Sequence, residues 1–220
     1  MSKARALFDR ELTDLRDNIL YLGSMVETAI ERAVHALKEQ DEDLARQVIA
    51  GDEEINTRRY NIEERCVRLI ATQQPAAGDL RAIVAAIHIV TELERMGDHA
   101  SGIAELAIRL ADQPHLKPLI DVPRMAEIDR EMIRASLDAY FERDPDLALE
   151  TAKRDAEIDG LYDQVYRELL TYMLSDPRTI TRATYLLWVT HNLERIADRV
   201  TNICERVIYM CTGKMEELNF

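Results

Sequence analysis

Two stretches of the chain, one hundred positions apart, carry nearly the same seven residues: Glu92-Leu93-Glu94-Arg95-Met96-Gly97-Asp98 and Asn192-Leu193-Glu194-Arg195-Ile196-Ala197-Asp198. A second correspondence has almost the same offset. Asp41-Glu42-Asp43-Leu44-Ala45 with Asp52-Glu53-Glu54-Ile55 returns as Asp144-Pro145-Asp146-Leu147-Ala148 with Asp155-Ala156-Glu157-Ile158. The two offsets, 100 and 103, differ by three residues, which places a small length difference near the loop between the second and third elements of each half. A chain written twice must fold as two copies of one unit. With 220 residues in all, each copy is long enough to bury a core.

Each copy reads as three helices. Phe8, Leu12, Leu15, Ile19, Leu22, Val26, Ile30 and Leu37 recur at spacings of three and four, so the first helix spans about residues 2–40. Asp41 to Asp43 caps a second helix that runs to about Thr72, and Pro75-Ala76-Ala77-Gly78-Asp79 breaks the chain before a third helix ending near Ala111. Gln113-Pro114-His115-Leu116-Lys117-Pro118, followed by Pro123, is the proline-dense linker and marks the boundary between domains 1–112 and 122–220. A fourth helix then runs from Pro123 to about Arg143, Asp144-Pro145 opens a fifth, Asp176-Pro177 opens a sixth, and Gly213 ends it. Aromatic residues are only 5% of the chain, and period-2 alternation of β-branched residues is missing. The fold class is therefore all-α, a tandem repeat of two three-helix bundles related by a pseudo-two-fold.

A formal charge of −13 argues against a nucleic-acid backbone or an anionic membrane surface as partner, and favours cations and basic protein patches. Met1-Ser2-Lys3-Ala4-Arg5-Ala6-Leu7 is too charged for a signal peptide, and the apolar run from Ala82 to Val90 is too short to span a bilayer, so a cytoplasmic protein without membrane insertion is expected. Cys66, Cys204 and Cys211 are odd in number and lack C-x-x-C spacing; they are read as reduced packing residues.

In a helix the spacing Glu94/Asp98, and again Glu194/Asp198, stacks two carboxylates on one face, where they repel. On a helical wheel Asp198, Asn202 and Glu205 lie within about 80° of Glu194, opposite the apolar face of Leu193, Ile196, Val200, Ile203 and Val207. Such a strip is either a solvated face or a cation site. Apart from Arg109 in the first copy, these sectors hold acids and small polar groups where a solvated face usually interleaves Lys and Arg. The middle helices add Asp52 with Asn56, and Asp155 with Asp159, at the same spacing. If middle and last helices run antiparallel, the pairs converge into an all-oxygen site suited to Mg²⁺, Ca²⁺, Mn²⁺ or iron, while the lack of helical His or Cys ligands argues against zinc and copper. His35, His88, His99, His115 and His191 read as packed or surface histidines. No Glu-x-x-His occurs, which weakens a di-iron oxidase, and no phosphate loop, nucleophile elbow or Cys/His pair suggests an enzyme.

The chain resembles the PhoU family of phosphate-signalling proteins over nearly its whole length. The resemblance is carried by Gly23-Ser24-Met25-Val26-Glu27, Val48-Ile49-Ala50-Gly51-Asp52, Cys66-Val67-Arg68-Leu69-Ile70-Ala71, Gln74-Pro75 with Asp79-Leu80-Arg81, both Glu-x-x-x-Asp stretches, and Thr201-Asn202-Ile203-Cys204-Glu205. It implies a non-enzymatic cytoplasmic regulator, often a homodimer. Such a regulator damps the phosphate-starvation response by contacting a sensor histidine kinase and the ATPase subunit of a phosphate ABC transporter. It also implies metal ions, in some members multinuclear iron or zinc clusters, held here by Glu94, Asp98, Glu194 and Asp198 together with Asp52, Asp155 and Asp159. Because Asn56 stands where the pattern has an acid, the first site is expected to hold metal more weakly. The alternative is a metal-storing or di-metal carboxylate bundle with a redox function.

Overall fold

The structure, a computed structural model, describes residues 3–214, 217 and 218. The residues Met1 and Ser2 at the expected start of the first helix and domain, and Phe220 at the expected end of the second domain, lie outside the described residues. Within them the helices are α1 (Lys3–Glu39), α2 (Glu42–Gln73), α3 (Ala77–Leu110), α4 (Asp121–Glu142), α5 (Pro145–Lys153), α6 (Asp155–Ser175) and α7 (Ile180–Thr212), with no strand.

The cap residues act as the sequence suggests. The Asp41 side chain accepts from Leu44 N at 2.9 Å, and Asp144 accepts from Asp146 N and Leu147 N, both at 3.0 Å, with Pro145 in the first turn. Gly213 ends α7 at φ 75°, the left-handed conformation that glycine adopts without a Cβ penalty. Gln40 also ends α1 with a positive φ of 55°. Its side-chain amide donates to Leu110 O, Ala111 O and Gln113 O at 3.2, 3.1 and 2.6 Å, satisfying carbonyls at the end of α3.

The six-helix plan holds with two local differences. The fifth helix is interrupted at Arg154, whose amide donates to Thr151 O at 3.1 Å in a tightened turn, so it becomes α5 and α6. Pro177 opens a single 3-10 turn (Pro177–Thr179), and α7 begins only at Ile180. The proline-dense linker is docked rather than loose. Arg182 donates to Pro114 O at 3.0 Å, and Lys117, 9% exposed, pairs with Asp121 at 3.0 Å and with Glu168.

Helices α1, α2 and α3 form one up-down-up bundle, and α4, α5/α6 and α7 form the other. The halves meet where α3 lies along α7 and α1 along α4, equivalent helices pairing with each other as a two-fold requires. The side chains show the same symmetry. Glu92 on α3 meets Arg199 at 3.5 Å and Asn202 at 3.3 Å on α7. Across the pseudo-axis Asn192 on α7 meets His99 on α3 at 2.9 Å and lies against Gly102. Each member of the second cluster sits one hundred positions from its counterpart in the first. Leu93, Met96, Ile103, Leu193, Ile196 and Val200, all fully buried, supply the apolar core behind this seam.

Candidate functional site

The loop between α2 and α3 is short, so the two helices run antiparallel and Asp52 comes opposite Asp98. Gly97 permits the approach: a Cβ there would stand 3.4 Å from Asp52 Oδ1 and 3.2 Å from two Ile55 carbons. Burial raises the Asp52 carboxyl above its ordinary range, with the nearby Asp98 charge adding to it. Glu94 is raised for the same reasons, burial first and then Asp98. The structure thus brings Asp52, Glu94 and Asp98 into one acidic field.

Two local features blunt that field. Asn56 Nδ2 donates to Asp52 Oδ2 at 2.9 Å, occupying the oxygen that an acid at this position would repel. Arg59, reaching across from α2, places Nε 3.5 Å from Glu94 Oε1 while its Nη1 donates to Glu63 at 2.7 Å.

The second half brings together Asp155 and Asp159 on α6 with Glu194 and Asp198 on α7. Burial, reinforced by Asp159, Asp198 and Glu194, pushes Asp155 up to about 6. Asp159 and Glu194 are raised by burial and by Asp198. Arg195 donates to Asp198 at 2.7 Å, and its Nε lies 3.3 Å from Glu194 Oε2. The acidic strips are therefore not simply solvated: the Glu94 and Glu194 side chains are 16% and 17% exposed, each overhung by the neighbouring middle helix.

One carboxylate here escaped the sequence reading. Asp129 on α4 is 0% exposed, lacks a hydrogen-bond partner at either oxygen, and has Asp155 as its charged neighbour. Burial first, and that neighbour second, hold its carboxyl well above the ordinary value. The signal was available, since Asp129 interrupts the apolar stripe of Met125, Met132 and Ile133 where the helical period calls for a core residue.

Among the described residues no three His, Cys, Asp or Glu side chains converge into a ready-made cage. Yet the donor set fits a hard cation. Asp52 Oδ1, both Asp129 oxygens and Asp155 Oδ1 are buried without hydrogen bonds, and Glu194 Oε2, also without one, has only the ion-pair contacts of His191 Nδ1 at 3.2 Å and Arg195 Nε at 3.3 Å. The fit is better in the second half, where neither α6 acid is held by an amide. Cys66 and Cys204 lie in the core with thiols pushed by burial up to about 12, away from both fields and unreactive.

The raised carboxyls carry a pH prediction. In chelator Asp155 binds a proton more tightly folded than unfolded, so stability rises as pH falls through about 6 toward the ordinary carboxylate value. Melting the protein in EDTA between pH 7 and 5 should show a Tm that increases on acidification, reflecting a gain in stability on the order of 1 kcal/mol after solvent screening. A Tm that is flat or falls over that window contradicts it.

An all-helical tandem bundle with an acidic pair on the last helix of each repeat defines a class of two-repeat helical proteins, and similarity identifies the family. The family model for the PhoU domain matches twice, at residues 19–107 and 122–207. The chain is 43% identical over 216 residues to the phosphate-specific transport system accessory protein PhoU homolog of Clostridium acetobutylicum, covering 98% of this chain and 99% of that one. It is 37% identical over 207 residues to phosphate-specific transport system accessory protein PhoU of Escherichia coli, covering 94% and 86%. The crystal structure of PhoU from Pseudomonas aeruginosa superposes with a TM-score of 0.88 at 41% identity, covering 94% of this chain and all of that one. The phosphate transport system regulatory protein PhoU from Streptococcus pneumoniae does so at 0.89 and 32%, covering 96% and 100%. The chain belongs to the PhoU family.

Proposed function

We propose that this protein is a non-enzymatic accessory regulator of phosphate transport. In this reading it represses the phosphate-starvation response by linking the ATPase subunit of a phosphate ABC transporter to a sensor histidine kinase. The observation that carries the reading is full-length likeness, in both repeats, to proteins named as accessory to phosphate-specific transport. Its charge of −13 suits docking against basic patches on those partners. No described helix is long and apolar enough to cross a membrane, consistent with a protein that works beside a transporter.

The same reading includes metal. Asp155, Asp159, Glu194 and Asp198 would hold a cation in the second half, and Asp52, Glu94 and Asp98 a weaker one in the first. Iron is the first choice, with zinc, Mg²⁺, Mn²⁺ or Ca²⁺ as the other ions. When bound, the cation supplies positive charge that relieves carboxylate repulsion and ties the middle helix to the last. The protein's own part is to hold oxygens unpaired at a half-buried seam.

Deleting the gene and measuring phosphatase expression in phosphate-replete cells tests the regulatory reading. Constitutive expression, at least tenfold above wild type, is expected. An unchanged level together with altered iron handling would instead support a metal-storing redox bundle, the reading favoured by the unsatisfied carboxylates.

A further inference from the structure

We propose that Asp129 is the buried carboxylate of the second-half cation site, a ligand supplied by α4 that the first half lacks, and that it makes the second half the tighter site for a hard divalent cation such as Mn²⁺. This rests on the metal reading above and deepens it.

Asp129 sits at mid-helix between Met125 and Met132, all three at 0% exposure. Neither of its oxygens accepts a hydrogen bond. Stripped of water and unpaired, a carboxylate is among the least favourable groups a core can hold, and protonation only exchanges the charge for an O–H with no acceptor. Its surroundings worsen the placement, because the charged group facing it is Asp155, whose own Oδ1 is buried and unpartnered.

The nearby cations are committed elsewhere. Arg130 turns outward to Glu31 at 2.9 Å, and Arg134 pairs with Glu27 at 2.5 Å, both across the α1–α4 contact. Arg154, immediately before Asp155, binds Glu131 at 2.8 Å and Glu157 at 3.1 Å. Thr201, on the turn of α7 after Asp198, contributes one more buried oxygen without a partner.

The first repeat shows that the fold does not need this acid. The offset that carries Asp52 to Asp155 carries Val26 to Asp129, and Val26 is buried to 0% without any polar atom. An apolar side chain serves that slot in one copy, while the other copy keeps a buried, unpartnered carboxylate with Asp155 of the acidic cluster as its charged neighbour. A cation shared by Asp129, Asp155 and the α7 acids would satisfy these oxygens and connect all three helices of the second bundle. The equivalent site in the first half can join only α2 and α3.

The test uses the full chain freed of metal with EDTA, titrated with Mn²⁺ by calorimetry and melted with and without it. Wild type should bind Mn²⁺ and melt higher in its presence. Asp129→Asn keeps the shape and should weaken Mn²⁺ binding by about tenfold or more. Asp129→Val installs the first-half residue and should raise the Tm in EDTA, by about 4 °C, while abolishing most of the Mn²⁺-induced rise. Opposite signs in the two conditions support the proposal. Wild-type affinity in both variants overturns it, as does a Tm lowered in EDTA, which would mark Asp129 as structural. Wild-type protein that takes up no Mn²⁺ overturns instead the metal reading on which the proposal stands.

Discussion

Leu93→Ala is expected to destabilise the protein by about 3 kcal/mol, because Leu93 is fully buried and the truncation removes methyl groups and leaves a cavity that rigid helices cannot close. For a chain of this length that corresponds to a fall in Tm of roughly 6–12 °C. The position sits on α3, which packs against α1, α2 and α7, so few neighbours are free to collapse into the gap. Glu53→Ala, on the exposed face of α2, should change the Tm by no more than about 1–2 °C. Thermal melts of the two variants decide the matter, and a Leu93→Ala protein melting within 2 °C of wild type, about the shift of a surface change, would mean that α3 is not the centre of the core.

Leu93 also shows what made the fold legible. Its neighbours Met96, Ala100 and Ile103 follow the helical period, and all are buried, so hydrophobic spacing was enough to place the core face. Helix ends were legible wherever a side chain caps them, as at Asp41 and Asp144. The break at Arg154 was not, because its counterpart Gly51 lies inside an unbroken α2 and the flanking repeat is the same. Arg154 also reaches Glu131 on α4, a tertiary contact with no periodic signature.

The site was legible along each helix and hidden between helices. Spacing alone paired Glu94 with Asp98 and Glu194 with Asp198, and antiparallel packing was needed to add Asp52 and Asp155. The wheel placed the strips opposite the core, but it could not show that a middle helix covers them or that Arg59 would come from α2 to meet Glu94. Asp129 was not legible from the repeat, because Val26 stands at its first-half position and the acid has no copy.

That asymmetry sets the second large effect. Glu194→Gln with Asp198→Asn should remove most of the bound metal, with affinity falling about a hundredfold, whereas Glu94→Gln with Asp98→Asn should cost clearly less. In the first half Asp52 already accepts from Asn56 at 2.9 Å, and Arg59, 16% exposed and fixed between Glu63 and Glu94, occupies the space a cation needs. In the second half the competing Arg195 is 44% exposed, and such a side chain can swing into solvent at little cost when a cation arrives. Asp155 and Asp159 have no amide holding either of them, and burial with the neighbouring acids raises both carboxyls, so this field favours a positive partner, a proton included. The same double change should therefore raise the Tm in EDTA while lowering it in metal, since it removes repulsion in one condition and ligands in the other. Elemental analysis of the purified variants and titration of the stripped ones measure both effects. Equal losses from the two halves would sink the asymmetry, and wild-type protein that holds no metal would overturn the cation reading of both acidic strips.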